Sequence, residues 1–233
     1  GSLKRLQTDY LDLYQLHWPD RTTNIFGQRE YPYGADDAQV VSIGETLQVL
    51  AEQVAAGKIR HIGVSNETPW GVAEFLRQAR EQNLPRIVSI QNPYSLLNRL
   101  YEGGLSEFGE RENIGLLAYS PLAFGALTGK YLNGALPEGS RLSSVYRTFN
   151  RYDSPGAHQA IAAYVALAAE LSLSPAQLAL AFVINQPFVS SALTGQTSLA
   201  QLADNLGALD VKLDPQALAR IEQIHRRVPN PAP

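Results

Sequence analysis

The chain has 233 residues, of which 45% are hydrophobic and 18% charged, as in an ordinary globular protein large enough for one sizeable core. A formal net charge of −3 argues against nucleic-acid and membrane-surface partners, because both carry negative charge, and favours small-molecule partners. Cysteine is absent and the four histidines match no metal-ligand spacing, which excludes disulfides, thiol nucleophiles and thiolate metal sites and is compatible with a cytoplasmic protein.

The first quarter of the chain predicts a strand, a long loop and a helix. Residues 10–17 alternate between apolar and polar and end at Trp18-Pro19, as a strand leading into a loop does. Residues 21–41 are polar and turn-rich, and they are predicted to form a loop over one end of the core. Helical spacing of apolar residues then runs over 42–56 and stops at Gly57, a glycine helix end.

Strands and helices then alternate along the rest of the chain. Further strands are predicted at 59–66, 86–91, 115–120 and 189–194, and helices at 68–82, 102–112, 158–171, 174–185, 197–206 and from 214. This alternation is typical of a parallel sheet in an α/β protein. The strand count is about five, whereas a closed (β/α)8 TIM-type barrel needs eight. The expected fold is therefore one barrel domain over 1–233 with about five of its eight strand–helix units.

The beginning of the chain supports that expectation. Residues 3–6 have the pattern of the end of a helix, and the sequence contains no methionine. We therefore expect the chain to begin inside a fold, with the first three strand–helix units missing on its N-terminal side.

The stretch after residue 115 suggests a ligand-binding loop. An apolar strand ends at Tyr119-Ser120, and Pro121 cannot continue a central strand. Gly125 allows a close approach of the backbone to another group, while Lys130 supplies the positive charge that a phosphate needs. An ordinary loop after a strand is the alternative reading of this stretch alone.

Polar residues follow the predicted strands, at the ends that carry function in parallel α/β folds. The residues at these ends are His17, Ser65, Asn66, Gln91, Asn92, Tyr119, Ser120 and Gly195, and all but the glycine are polar. Serine, asparagine and glutamine can donate to an amide carbonyl and accept from its NH₂, and tyrosine can stack on a flat ring, so the set suits a nicotinamide carboxamide. The alternative is that these residues are polar only because the end of a barrel is exposed to solvent.

Five motifs in the right order resemble those of the aldo-keto reductases, most closely their bacterial Tas-like branch. They are LDLYQLH at 11–17, GKIRHIGVSN at 57–66, QNPYSLL at 91–97, the stretch 119–131 and GQTSLAQLADN at 195–205. The resemblance covers essentially the whole chain. It implies a (β/α)8 barrel that binds NADP(H), with NAD(H) less favoured, in extended form and without a Rossmann fold.

The resemblance also assigns residues to parts of the cofactor. It places Ser65, Asn66 and Gln91 on the carboxamide and Tyr119 on the nicotinamide ring. The pyrophosphate and adenosine contacts it implies are Ser120, Leu122, Gly125, Lys130, Arg141, Gly195, Thr197, Gln201, Asp204 and Asn205. The helix opening near Thr197 is expected to offer free backbone N–H groups to a 2′-phosphate. Many relatives have arginine at the position of Gln201, so Arg141 is the candidate cation instead.

The implied activity is reduction of aldehydes and ketones to alcohols by hydride transfer. The family uses an aspartate, a tyrosine acid, a lysine and a histidine, and only the histidine, His17, has a match here. The alternative is a non-catalytic cofactor-binding or regulatory module, as potassium-channel β subunits illustrate, or an inactive fragment. The expected partners are a small carbonyl substrate and, if the sheet stays open, a second copy of the chain, with no nucleic acid and no membrane.

Overall fold

The computed structural model describes residues 1–34, 40–143 and 150–233. Its strands are β1 Leu11–Leu16, β2 Ile59–Ser65, β3 Ile87–Pro93, β4 Gly115–Tyr119 and β5 Val189–Leu193. They form one five-stranded parallel sheet in the order β1-β2-β3-β4-β5. The predicted α/β class and the count of five parallel strands are confirmed.

Helices occupy most of the segments between the strands. They are α1 Ser2–Leu6, α2 Ile43–Ala55, α3 Pro69–Glu81, α4 Leu105–Glu112, α5 Pro155–Glu170, α6 Pro175–Ile184, α7 Leu199–Gly207 and α8 Pro215–Arg227. The helix starts expected at Thr68, Ser174 and Asp214 are confirmed, because each side chain accepts a hydrogen bond from the backbone N–H three residues on. The helix α7 is capped by Ser198, whose side chain accepts from the N–H of Gln201.

The chain divides into two compact units, 1–92 with 104–117 and 93–103 with 118–233. In the first unit, β1 and β2 pair in parallel register, with Leu13 opposite His61. Ile62 on β2 and Ile87 on β3 are fully buried, as is Leu47 on α2. This unit thus has a core of strand and helix side chains.

In the second unit, α6 is apolar on all sides, and seven of its ten residues are buried. Such a helix fits the centre of a core rather than its surface. Tyr94 is fully buried here and stacks on Phe182 of α6, with 5.9 Å between ring centres. Among the described residues no single helix is long and apolar enough to cross a bilayer, although α5 and α6 together, bent by 96°, pass that test on length and composition.

The start of one expected helix differs from the structure, whereas the long expected loop agrees with it in the described residues. The helix α5 begins at Pro155, three residues before the predicted start, because Ser154 caps it by accepting from the N–H of Ala157. Ser154-Pro155 has the same Ser-Pro pattern that marks the start of α6. The loop predicted over 21–41 contains neither helix nor strand in its described part, and residues 35–39 lie outside the described residues.

The cap of α6 leads to a stability prediction. Ser174 Oγ accepts from the N–H of Gln177 and donates to the Asp204 carboxylate at 2.8 Å. The Ser174 N–H in turn donates to Gln177 Oε1, which completes a capping box. We expect Ser174→Ala to lower the free energy of unfolding by about 1–2 kcal/mol in denaturant melts. Ser42→Ala removes a simpler cap, from α2, and should cost less; an equal or larger loss there would contradict the role given to the Asp204 contact.

Candidate functional site

Polar side chains at the ends of β1, β2 and β3 form one hydrogen-bonded chain. Asn66 Nδ2 donates to the backbone carbonyl of His17 at 2.8 Å and to Ser65 Oγ at 3.1 Å. Ser65 Oγ donates to the Gln91 carbonyl at 2.7 Å, and Gln91 Nε2 donates to Gln15 Oε1 at 2.8 Å. The structure therefore brings together four residues singled out in the sequence, namely His17, Ser65, Asn66 and Gln91.

Two members of this hydrogen-bonded network, Gln15 and Ser89, were not predicted from the sequence. Gln15 Nε2 donates to Ser89 Oγ at 3.2 Å. Gln15 and Ser89 lie two residues before His17 and Gln91, so counting back along the strands with a period of two would have found them. Gly63 lies opposite Gln15, and a side chain there would place its Cβ 2.3 Å from Ser89 Oγ. Glycine at position 63 therefore keeps the contact open.

The turn after β2 is held in an uncommon conformation. Asn66 has φ +56°, in the left-handed region, and its N–H donates to the Gln91 carbonyl at 3.0 Å. Asn92 fixes the next peptide by accepting from the Glu67 N–H and donating to the Glu67 carbonyl. Among the described residues Gln91 Oε1 has no recorded donor, so this oxygen can accept an N–H bond from an amide ligand.

A cavity of about 910 Å³ opens in the second unit. Ten of the residues singled out in the sequence line it, and they are Ser120, Leu122, Gly125, Lys130, Arg141, Gly195, Thr197, Gln201, Asp204 and Asn205. They come from the long segment after β4, the segment between β5 and α7, and helix α7 itself. The fold thus collects residues from three separate segments around one space.

The loop after β4 is strained where it borders this cavity. Ser120, Ala123 and Phe124 all have φ between +51° and +57°, a region that residues with a Cβ seldom adopt. Gly125 has φ +88°, and a Cβ at that position would lie 2.8 Å from Lys130 Cε and 2.9 Å from Lys130 Nζ. Strain of this kind is often found at ligand sites, and here the strained loop lies against the Lys130 side chain.

Two cations and two acids line the cavity. Lys130 Nζ lies 5.2 Å from the Tyr131 ring centre and makes no ion pair with any residue that the structure describes. The Arg141 guanidinium carbon lies 3.8 Å from the centre of the Phe124 ring. The acids are Glu138 and Asp204, and Asp204 accepts the Ser174 hydroxyl. An anionic ligand would therefore find its strongest attraction at Lys130.

The opening of α7 does not fully match expectation. The N–H of Thr197 donates to Gln201 Oε1 at 2.9 Å, and the N–H of Gln201 donates to Ser198 Oγ at 3.2 Å. The prediction that this opening presents free backbone N–H groups is therefore wrong for these two amides, because side chains of the same segment cap them. The Gln201 side chain thus caps the N-terminus of its own helix.

Tyr119 ends β4 and is half-buried. Burial raises the pKa of its phenol, and the Arg151 guanidinium partly opposes that rise. Burial also raises the pKa of Tyr152, whose ring packs edge-on against Phe124 at 5.5 Å between centres. Both phenols are thus protonated at neutral pH. Sequence reasoning missed Arg151 and Tyr152, because they follow a polar segment without periodicity.

Comparison with known proteins identifies relatives along the whole chain. Residues 1–226 match the model of the aldo/keto reductase family. Protein tas of Escherichia coli is 55% identical over 232 residues, which is 100% of this chain and 66% of that protein. An aldo-keto reductase of Babesia bovis is 37% identical over 88% of this chain and 76% of its own length. A probable voltage-gated potassium channel subunit beta of Oryza sativa is 31% identical over 98% of this chain and 66% of that protein.

These matches bear on the fold. The family fold is a (β/α)8 barrel, and five parallel strands in one sheet agree with part of such a barrel. The chain spans 66% of the length of the tas proteins that it matches.

Proposed function

Because the chain belongs to the aldo/keto reductase family, we propose that the protein is an oxidoreductase that reduces aldehyde and ketone carbonyls to alcohols with NADP(H). When bound, the reduced cofactor supplies a hydride to the carbonyl carbon. The observation that carries the proposal is the cavity of the second unit, because ten residues implicated by the sequence line it.

The cavity fits the adenosine and pyrophosphate parts of such a cofactor. A volume of about 910 Å³ lies within the usual range for small-molecule and cofactor sites. Lys130 and Arg141 would hold the phosphates, since each carries a positive charge at the cavity wall. Asp204 and Asn205 would hold the adenosine end. The positive charges of Lys130 and Arg141 favour NADP(H) over NAD(H), because NADP(H) carries an additional phosphate. Gln201 contributes no charge.

The nicotinamide carboxamide would be held by the hydrogen-bonded polar side chains at the ends of β1, β2 and β3. Gln91 Oε1 is an acceptor suited to a carboxamide NH₂, and Ser65 and Asn66 are fixed beside it by hydrogen bonds. The flat, neutral ring of Tyr119 suits stacking on a heterocycle. His17 would orient the substrate or relay a proton, since its exposed imidazole is open to a ligand.

The remaining catalytic groups are part of the same proposal. The aspartate, the tyrosine acid and the lysine would come from three strand–helix units that precede this chain in a single barrel domain, in keeping with its 66% coverage of the tas proteins. We expect a cytoplasmic enzyme that acts on a small carbonyl compound and that can form homo-oligomers.

A second candidate function is a regulatory module that binds the cofactor without turnover. The relative from Oryza sativa whose name is that of a channel subunit beta supports it, because it matches 98% of this chain. The two candidates share the cofactor cavity and differ only in catalysis.

An assay of the protein produced from its complete gene separates them. Loss of NADPH absorbance is followed with a panel of aliphatic and aromatic aldehydes and ketones, and NADPH binding is measured in parallel by fluorescence. Turnover of a carbonyl would support the reductase, and tight binding without turnover would support the module. Failure to bind NADPH at about 1 mM would contradict both candidate functions.

A further inference from the structure

A second cavity, of about 430 Å³, lies in the first unit beside α2 and α3. Its walls include Val41 of the long loop, Val64 of β2 and Phe75 of α3, so much of its surface is apolar. Ser65, which belongs to the polar cluster described above, also lines this cavity, whereas His17 and Gln91 do not. The volume is within the usual range for small-molecule sites.

Both tryptophans of the chain line this cavity. Trp18 is 53% exposed and Trp70 is 62% exposed, although large aromatic side chains are usually covered. The Arg21 guanidinium carbon lies 4.9 Å from the centre of the Trp70 ring. The cavity wall therefore already contains one cation–π contact.

The ionic groups of the cavity leave a negative charge uncompensated. Arg21 is neutralised by Glu67, whose carboxylate it contacts with both terminal nitrogens. Glu74 is paired with Arg77 at 2.6 Å. Asp20 has no cationic partner in the described ranges, and it accepts only the N–H of Val41 at 2.7 Å.

We propose that this cavity binds a small organic cation, a quaternary or protonated amine on an apolar body. The Asp20 carboxylate balances the positive charge, and the indoles of Trp18 and Trp70 pack against the rest of the ligand. An anion would be repelled by Asp20. A neutral apolar molecule would remove water from that carboxylate without supplying a hydrogen bond or a positive charge, which costs binding free energy.

Intrinsic tryptophan fluorescence tests the proposal directly, since both indoles of the chain border the cavity. The protein is titrated with benzyltrimethylammonium at constant ionic strength, beside benzyl alcohol and benzoate. We expect a saturable change for the cation with a dissociation constant of about 1 mM or lower, and binding of the other two at least about fivefold weaker.

Asp20→Asn keeps the acceptor for the Val41 N–H and removes the charge, so it should raise the dissociation constant for the cation about fivefold. Asp210→Asn removes an exposed carboxylate outside the cavity and should leave that constant unchanged. Circular dichroism checks the fold of both variants, and the comparison of the three ligands stands even if a variant misfolds. The proposal is overturned by no saturable change up to about 10 mM, by benzoate or benzyl alcohol binding as tightly, or by full affinity in folded Asp20→Asn.

Discussion

Replacement of Arg21 by methionine is expected to lower the free energy of unfolding by about 3 kcal/mol. Arg21 and Glu67 form an ion pair in which the side chains are only 15% and 2% exposed, with contacts of 2.5 and 3.1 Å. Without the guanidinium, the Glu67 carboxylate would stay buried with the N–H of Thr68 as its recorded donor. A loss of this size is a large part of the usual stability of a domain, and denaturant melts monitored by circular dichroism measure it.

Two comparisons isolate the buried charge as the cause. Arg111→Met removes an ion pair with Glu107 whose side chains are 74% and 68% exposed, and it should cost less than about 1 kcal/mol. The double variant Arg21→Met/Glu67→Gln keeps an acceptor for the Thr68 N–H without a charge, and it should recover about half of the loss. Equal effects of Arg21→Met and Arg111→Met would contradict the assignment.

Replacement of Lys130 by methionine is expected to weaken NADPH binding by about 30- to 100-fold. The lysine amine lies on the wall of the second-unit cavity and has no acidic partner among the described residues, so its charge is available to a phosphate. A charge-assisted hydrogen bond of this kind contributes about 2–2.7 kcal/mol, which corresponds to that factor. Fluorescence titration of NADPH with the protein from its complete gene measures the change, and the affinity should also fall with added salt.

Matched variants distinguish this contact from general damage. Lys212→Met removes an exposed lysine outside the cavity and should leave the NADPH affinity unchanged. Gly125→Ala should weaken binding, because its Cβ would displace the Lys130 amine, whereas Gly134→Ala has a similar φ of +76° and nothing within 4 Å of the new Cβ. Similar NADPH affinities in Gly125→Ala and Gly134→Ala would contradict the assignment of Lys130 to the NADPH site.

Much of the fold follows from local sequence signals. Serine or threonine followed by proline marks the starts of α3 and α6, because the hydroxyl caps a free N–H and proline suits the first turn. The strand ends at Ser65 and Tyr119 were also predictable, since an apolar run gives way there to polar residues, and in the structure Asn66 and Ser120 have φ near +55°. Ser154-Pro155 carries the same capping signal at the start of α5.

Contacts between distant residues could not be predicted in this way. Arg21 and Glu67 are 46 positions apart, and nothing local to a turn-rich loop indicates that its arginine will be buried. From the sequence, Gln201 only replaces an arginine that many relatives have, whereas in the structure its side chain accepts a hydrogen bond from the N–H of Thr197. Arg151 affects the pKa of Tyr119 from a segment that carries no periodic pattern. Such roles depend on packing between elements, which sequence spacing does not encode.

The central claim is that the cavity bordered by Lys130 and Asn205 holds the adenosine and pyrophosphate of a dinucleotide. Calorimetric titration with 2′-phospho-ADP-ribose, which is NADP(H) without its nicotinamide, tests it most directly, because every residue assigned to that part lies in the second unit. The account predicts saturable binding below about 1 mM in the wild type and a loss of at least about tenfold in Lys130→Met. Absence of binding at about 5 mM, or equal affinity in the two proteins, would contradict it.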